Sequence, residues 1–337
     1  MTPEFNPQDL QKLGELLSKP QKITLLGHVS PDGDALGATL AWSEILRGSG
    51  HTTTVVYPTP YGTSLDSIPG AREAIIAKED FEAAVTAIRE ADVLMLLDFN
   101  EPKRVEALQE AVETAPGTKI LIDHHLDPTP FADLCFSYTS MSSTCHLTYA
   151  LLEALGWKER INAVAAECIY TGMMTDTGNF SYNSEDPDLY LTIADLLSRG
   201  IEKDKIADRI LRSYSIDRIR LTAHVLDNNL LVFPEYKTAI LTVSRAEKGR
   251  FNYQVGDTEG LVNEPLNAKE IEFSVFLHEM PKYTKISLRS KGDFPVNEFA
   301  RKFFNGGGHK NASGAEVYDN LKNTLALVKQ AVRLMHP

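Results

Sequence analysis

Four stretches in the first part of the chain are short, apolar and rich in β-branched residues or leucine: KITLLGH (22–28), HTTTVVY (51–57), ADVLMLLDF (91–99) and KILIDHH (119–125). They are continuous apolar runs more than alternating ones, which predicts strands buried on both faces. Helical patterns separate or follow them at 35–48, 80–90, 103–113 and 143–155. Two more come at about 160–174 and 186–198, the second opening after Asp186-Pro187 and stopping at Gly200. Alternation of strand and helix implies a parallel sheet with helices on both faces, an α/β architecture. The N-terminus predicts an amphipathic helix, with Asn6 as cap, Pro7 in the first turn and Leu10, Leu13 and Leu17 on one face.

From about 203 to 230 the pattern is polar and helical, which suits a connector. Beyond it, YKTAILTVS (236–244), IEFSVFLHE (271–279) and TKISLRS (284–290) alternate apolar and polar residues more than the early strands do. Alternation favours a smaller mixed or antiparallel sheet, solvated on one face. The expected plan is a first α/β domain over 1–202, a helical linker over 203–230 and a second α/β domain over 231–337.

Composition narrows the classes. The 337 residues suffice for two cores, and 43% apolar with 24% charged residues is ordinary for a globular protein. The N-terminus lacks the basic start and apolar core of a signal peptide, and no apolar run is long enough for a membrane span, so the cytoplasm is expected. Three cysteines (Cys135, Cys145, Cys168) without a CxxC pair disfavour a disulfide framework or a zinc–thiolate site. A formal charge of −12 disfavours a protein that coats duplex nucleic acid. Against that acidic background, Pro281 to Lys310 carries seven Lys or Arg and two acids.

The candidate chemistry sits at the ends of the predicted strands. The first runs into GHVSPDGDALG, placing His28, Asp32 and Asp34 at the strand-to-helix turn; the third ends at Asp98; the fourth ends at Asp123, His124 and His125. In an open parallel sheet these ends converge on the ligand site. YTGMMTDTGNFSY adds Asp176 where a helical pattern gives way to a glycine turn. Each piece alone has a plainer reading: Asp34 as a helix cap, Asp98 as an Asx turn, Asp176 as a turn former. Together they crowd carboxylates that would repel one another unless a cation sat among them. Imidazole mixed with carboxylate suits a divalent ion such as Mn²⁺, and the number of donors suits two ions about 3.5–4 Å apart.

NGGGHKNASG (305–314) supplies the second constellation. Three glycines expose backbone N–H groups and tolerate positive φ, so Gly306, Gly307 and Gly308 can cradle an anion. No GK[ST] follows at Walker spacing. Arg289 in the preceding strand, with His309 and Lys310, adds charge suited to phosphate. Phe180 and Tyr182 are candidates for base stacking, with core packing as the plainer alternative.

HVSPDGD, LLDFN, IDHH, TDTGNF and GGGHKNASG occur in the order found in DHH/DHHA1 phosphoesterases, and the chain resembles the oligoribonuclease and pAp-phosphatase branch of that family over about 20–337. The resemblance implies a DHH domain joined by a helical linker to a DHHA1 domain, with the active site in the cleft between them. By similarity, one Mn²⁺ takes His28, Asp32 and Asp98, and the other Asp34, Asp98, His124 and Asp176, with Mg²⁺ or Co²⁺ as substitutes. Asp98 bridges, Asp123 orients its neighbours, His125 faces the substrate phosphate, and Arg289 with Gly306–His309 holds a terminal phosphate. The implied substrates are short single-stranded RNA oligonucleotides and pAp, with neither duplex nucleic acid nor a membrane as partner. Cyclic-dinucleotide or pApA hydrolysis, pyrophosphate or polyphosphate hydrolysis and non-catalytic nucleotide sensing are the competing readings, and oligomeric state stays open, a homodimer included. Many relatives carry a fourth glycine where this chain has Asn305; asparagine tolerates left-handed backbone, so the loop is expected to survive.

Overall fold

The computed structural model describes residues 3–335. They form two compact units that divide between Ser213 and Tyr214. The stretch read as a connector is split by that division: the helix Lys203–Leu211 belongs to the first unit and Ile216–Asn228 to the second.

The first unit is a six-stranded sheet of β1 (Lys22–Leu26), β2 (Thr52–Tyr57), β3 (Ile75–Ile76), β4 (Val93–Leu97), β5 (Thr118–Asp123) and β6 (Leu134–Ser137). Its order is β3-β2-β1-β4-β5-β6, and every pairing is parallel. Val93–Leu97 is buried at every position, as its unbroken apolar run requires. One face packs against the helices Gly33–Gly48, Thr144–Ala154 and Ala163–Asp176 through Leu36, Trp42, Leu151 and Met173, and the other against Phe81–Arg89 and Gln109–Thr114 through Val85, Ile88 and Val112. The N-terminal helix runs Pro7–Leu16, with Asn6 accepting from Gln8 N at 2.9 Å and Leu13 fully buried. Two strands went unread: β3 has two residues, and β6 is an edge strand whose Cys135 is exposed. The helix expected at 103–113 is a 3₁₀ segment, Pro102–Leu108, broken at Glu106 (φ 46°), before Gln109–Thr114.

The chain order reverses direction between β1 and β4, the switch point where an open parallel sheet leaves a crevice beyond its carboxyl ends. His28 and Asp98 lie just past those two strand ends.

The second unit is a mixed sheet of β7 (Leu230–Phe233), β8 (Thr238–Val243), β9 (Phe273–Glu279), β10 (Thr284–Ser290), β11 (Gly307–His309) and β12 (Ala312–Val317), ordered β11-β12-β10-β9-β8-β7. Only β8 and β9 run parallel. Neither face of its centre is solvated as expected. Val296–Phe304 and Leu321–Met335 cover one side through Phe299 and Val328. Ile216–Asn228 covers the other, setting Leu221 and Val225 against Leu241, Val243 and Phe276. Alternation survives at β10, where Lys285 is exposed between buried Thr284 and Ile286.

Candidate metal centre

His28 follows β1, and its Nδ1 donates to Val29 O at 2.8 Å. A carbonyl only accepts, so Nδ1 carries the proton and Nε2 is the lone-pair nitrogen. His124, just past β5, is oriented the same way by Met141 O at 3.2 Å. Asp32, not Asp34, caps the helix Gly33–Gly48, accepting from Asp34 N at 3.0 Å and Ala35 N at 3.1 Å. Asp34 is thereby held in the first turn, buried. Asp98 sits at φ 67°, a left-handed conformation that is strained for an ordinary side chain and collects at functional sites. Asp176 is the last residue of Ala163–Asp176. A carboxylate there opposes the helix dipole, and a nearby cation removes the conflict.

The sheet brings these six residues together. His28 Nε2 lies 3.4 Å from Asp98 Oδ2 and 4.0 Å from Asp32 Oδ1. His124 Nε2 lies 3.5 Å from Asp176 Oδ2, 3.7 Å from Asp98 Oδ1 and 3.8 Å from Asp34 Oδ2. Such separations exceed hydrogen-bond length. They fall in the range of about 3.0–4.2 Å expected for two atoms each about 2.1 Å from one ion. Within each of two groups, His28–Asp32–Asp98 and Asp34–His124–Asp176, the donor atoms lie within 4.8 Å of one another. Asp98 turns one oxygen toward each histidine.

His125 differs from His124. Its Nδ1 donates to Asp123 Oδ1 at 2.7 Å, and its side chain is 22% exposed where His124 is 4%. Asp123 is wholly buried, and among the described residues its Oδ2 has no hydrogen-bond partner.

Charge crowding governs the electrostatics. Burial, then Asp34, Asp32, Asp123 and Asp176, holds the Asp98 carboxyl well above the usual range. Burial likewise raises Asp34, against the pull of His124. At Asp123 the burial penalty is outweighed by the His125 hydrogen bond and by both histidines, so its carboxyl is lowered. His28 is pushed down to about 4 by burial and is neutral near pH 7, the form that ligates. A neutral donor nitrogen beside carboxylates that resist ionising together is a donor set that divalent cations fit, and the centre is a divalent-metal site.

Sequence reasoning did not single out the segment 141–145. Besides Met141 O, it supplies the N–H groups of Thr144 and Cys145 to the two oxygens of Asp34, at 2.6 and 2.9 Å. The serines before the helical pattern at 143–155 were the available signal, since Ser143 caps Thr144–Ala154.

In the second unit, the glycines are not a free loop. Gly307–His309 is β11, paired antiparallel with β12. A Cβ on Gly306 would collide with the Gly314 carbonyl, and Gly308 stands at φ 137°. Asn305 takes the left-handed position that ends Val296–Phe304, at φ 51° and ψ 34°. His309 and Arg289 both pair with Ala312, so they flank one residue of β12 in a single cross-strand row and share a face. Lys310 Nζ pairs with Asp293 Oδ1 at 2.8 Å. Tyr182 is 54% exposed and covers Gly178, whereas Phe180 packs against the first unit's core beside Tyr170.

Comparison with known proteins agrees with this layout. The profile of the DHH family, N-terminal domain, matches residues 22–173, and that of the DHHA1 domain matches 236–334. The chain is 29% identical over 314 residues to the bifunctional oligoribonuclease and PAP phosphatase NrnA of Thermus thermophilus, spanning 92% of this chain and 89% of that one. It is 28% identical over 300 residues to the Bacillus subtilis protein of the same name, spanning 88% and 89%. The crystal structure of an exopolyphosphatase-related protein from Bacteroides fragilis superposes with a TM-score of 0.94 at 40% identity, covering 100% of this chain and 99% of that one. The chain therefore belongs to the DHH family of phosphoesterases, as a DHH N-terminal domain followed by a DHHA1 domain.

Proposed function

We propose that the protein is a two-metal phosphoester hydrolase that cleaves short oligoribonucleotides to mononucleotides and pAp to AMP. The observation that carries this reading is the pair of donor groups at the switch point of a parallel sheet, with Asp98 of the first group 3.7 Å from His124 of the second. The substrate class is supported by the relatives named for both activities over about nine-tenths of their length.

In this reading His28, Asp32 and Asp98 would hold one ion and Asp34, Asp98, His124 and Asp176 the other, with Mn²⁺ as the ion that this imidazole and carboxylate set suits. When bound, the ions supply Lewis acidity toward the phosphoryl group and lower the pKa of the attacking water. The chain's own part is positional and protonic. Asp123 keeps the proton of His125 on Nδ1, so His125 presents Nε2 to the phosphate or the leaving oxygen. One P–O ester bond breaks, water oxygen takes its place on phosphorus, and the departing oxygen leaves with a proton. Arg289, Gly306, Gly307, Gly308, His309 and Lys310 are proposed to bind a terminal phosphate; Lys310 would exchange Asp293 for it.

The test is a substrate panel with Mn²⁺: di- to pentaribonucleotides, pAp, c-di-AMP, pApA and pyrophosphate. The reading expects turnover of the ribonucleotides and pAp. Turnover confined to c-di-AMP or pyrophosphate would reassign the substrate, and tight binding without turnover of any would make the protein a sensor.

A further inference from the structure

One residue outside the donor set touches both groups of ligands. Thr144 opens the helix Thr144–Ala154, and its hydroxyl donates to Asp98 Oδ1 at 2.8 Å. Its N–H donates to Asp34 Oδ2 at 2.6 Å, while the next N–H, of Cys145, reaches Asp34 Oδ1 at 2.9 Å. All three side chains are at most 2% exposed. Hydrogen bonds at this depth fix orientation, because a carboxylate that swung away would leave buried donors unpaired.

The segment around Thr144 is itself pinned. Ser143 Oγ accepts from His146 N at 3.0 Å, and Ser142 Oγ meets His146 Nδ1 at 3.0 Å. Met141 N donates to Tyr138 O at 3.1 Å, and Tyr138 N to Asp123 O at 3.0 Å, which ties the loop back to the end of β5. Met141 O then orients His124. Residues 141–146 thus form a brace that reaches ligands from three separate elements.

We propose that Thr144 is a positioning residue of the metal centre, setting the aim of Asp98 and Asp34 together. Its hydroxyl occupies one lone pair of Asp98 Oδ1, which lies 3.7 Å from His124 Nε2, and would leave the other for an ion held with His124. Its N–H and that of Cys145 hold the two oxygens of Asp34, with Oδ2 3.8 Å from His124 Nε2, where it would meet the same ion. This rests on the divalent-metal reading of the site and assigns a task to a residue that would ligate nothing.

Equilibrium binding of Mn²⁺, followed by the paramagnetic resonance signal of free and bound ion, tests it in Thr144→Val and Thr144→Ser, with the melting temperature of the metal-free proteins as the fold control. Valine keeps the shape and the N–H and removes the hydroxyl; serine restores the hydroxyl. Expected are about 10–100-fold weaker Mn²⁺ binding in Thr144→Val, near wild-type binding in Thr144→Ser, and equal metal-free melting temperatures. If Thr144→Val does not fold, Thr144→Ala repeats the measurement without a methyl beside Asp98. Wild-type affinity in the valine or alanine variant overturns the proposal, as does a serine variant as weak as valine. Absence of Mn²⁺ binding by the wild-type protein would instead overturn the metal-centre reading beneath it.

Discussion

Asp98 is buried, strained and surrounded by like charge, three liabilities that make sense only with cations present. Its carboxyl is raised by burial and by four neighbouring aspartates, and its φ of 67° suits asparagine better than aspartate. Asp98→Asn keeps an oxygen for the Thr144 hydroxyl, removes the charge and eases the backbone. We expect the metal-free variant to gain about 1 kcal/mol of stability while losing metal-dependent hydrolysis, the trade common to active-site carboxylates. Metal-free denaturation curves beside activity assays check this; a less stable metal-free variant would contradict it. Most residues of this site were legible because strand-terminal Asp and His have few other uses when they recur on successive strands. Thr144 was not, because threonine at a helix start is ordinary and its partners lie 46 and 110 positions away.

At the scale of elements, the site depends on how closely two helices pack. A Cβ on Gly37 would come within 2.5 Å of the Cys168 carbonyl, and one on Gly172 would collide with Cys145 Sγ and approach Asp34 Oδ1 to 2.8 Å. The glycines therefore let Gly33–Gly48 and Ala163–Asp176 cross closely enough to bring Asp34 and Asp176 to one histidine. Gly172→Ala should destabilise the first unit by about 1–3 kcal/mol, as overpacking does, and weaken Mn²⁺ binding by displacing Asp34. Unfolding and Mn²⁺ titration read both effects; wild-type metal affinity in a destabilised variant would show that helix spacing does not govern the ligand. The long apolar strands and capped helices of this unit were legible from periodicity. Its two-residue β3 and the edge strand β6 were not, since neither is long enough to show a period. The covered face of the second sheet was also misread, because helix Ile216–Asn228 looked like a connector, though its Leu221 and Val225 are buried against β8 and β9.

At the scale of the whole molecule, a buried histidine makes the second unit sensitive to acid. His278 on β9 is buried and pushed down to about 3, by burial first and then by Lys248 and Lys285. Its unfolded pKa is near 6.5. Between those values the unfolded chain binds a proton that the folded one refuses, so the second unit loses stability as pH falls from about 6.5 toward 3. The loss scales at about 1.4 kcal/mol per pH unit until other groups intervene. Amide exchange along β9 measured across that window should quicken as pH falls after correction for intrinsic rates, and His278→Phe should flatten the dependence. A wild-type protein with pH-independent protection there would contradict the assignment.

The central claim is that two divalent ions share Asp98. Anomalous diffraction at the manganese edge from crystals grown with Mn²⁺ tests it most directly. Two peaks per chain are expected about 3.5–4 Å apart, one beside His28 and Asp32, the other beside Asp34, His124 and Asp176, with Asp98 between them. A single peak, or two peaks of which only one touches Asp98, would contradict it.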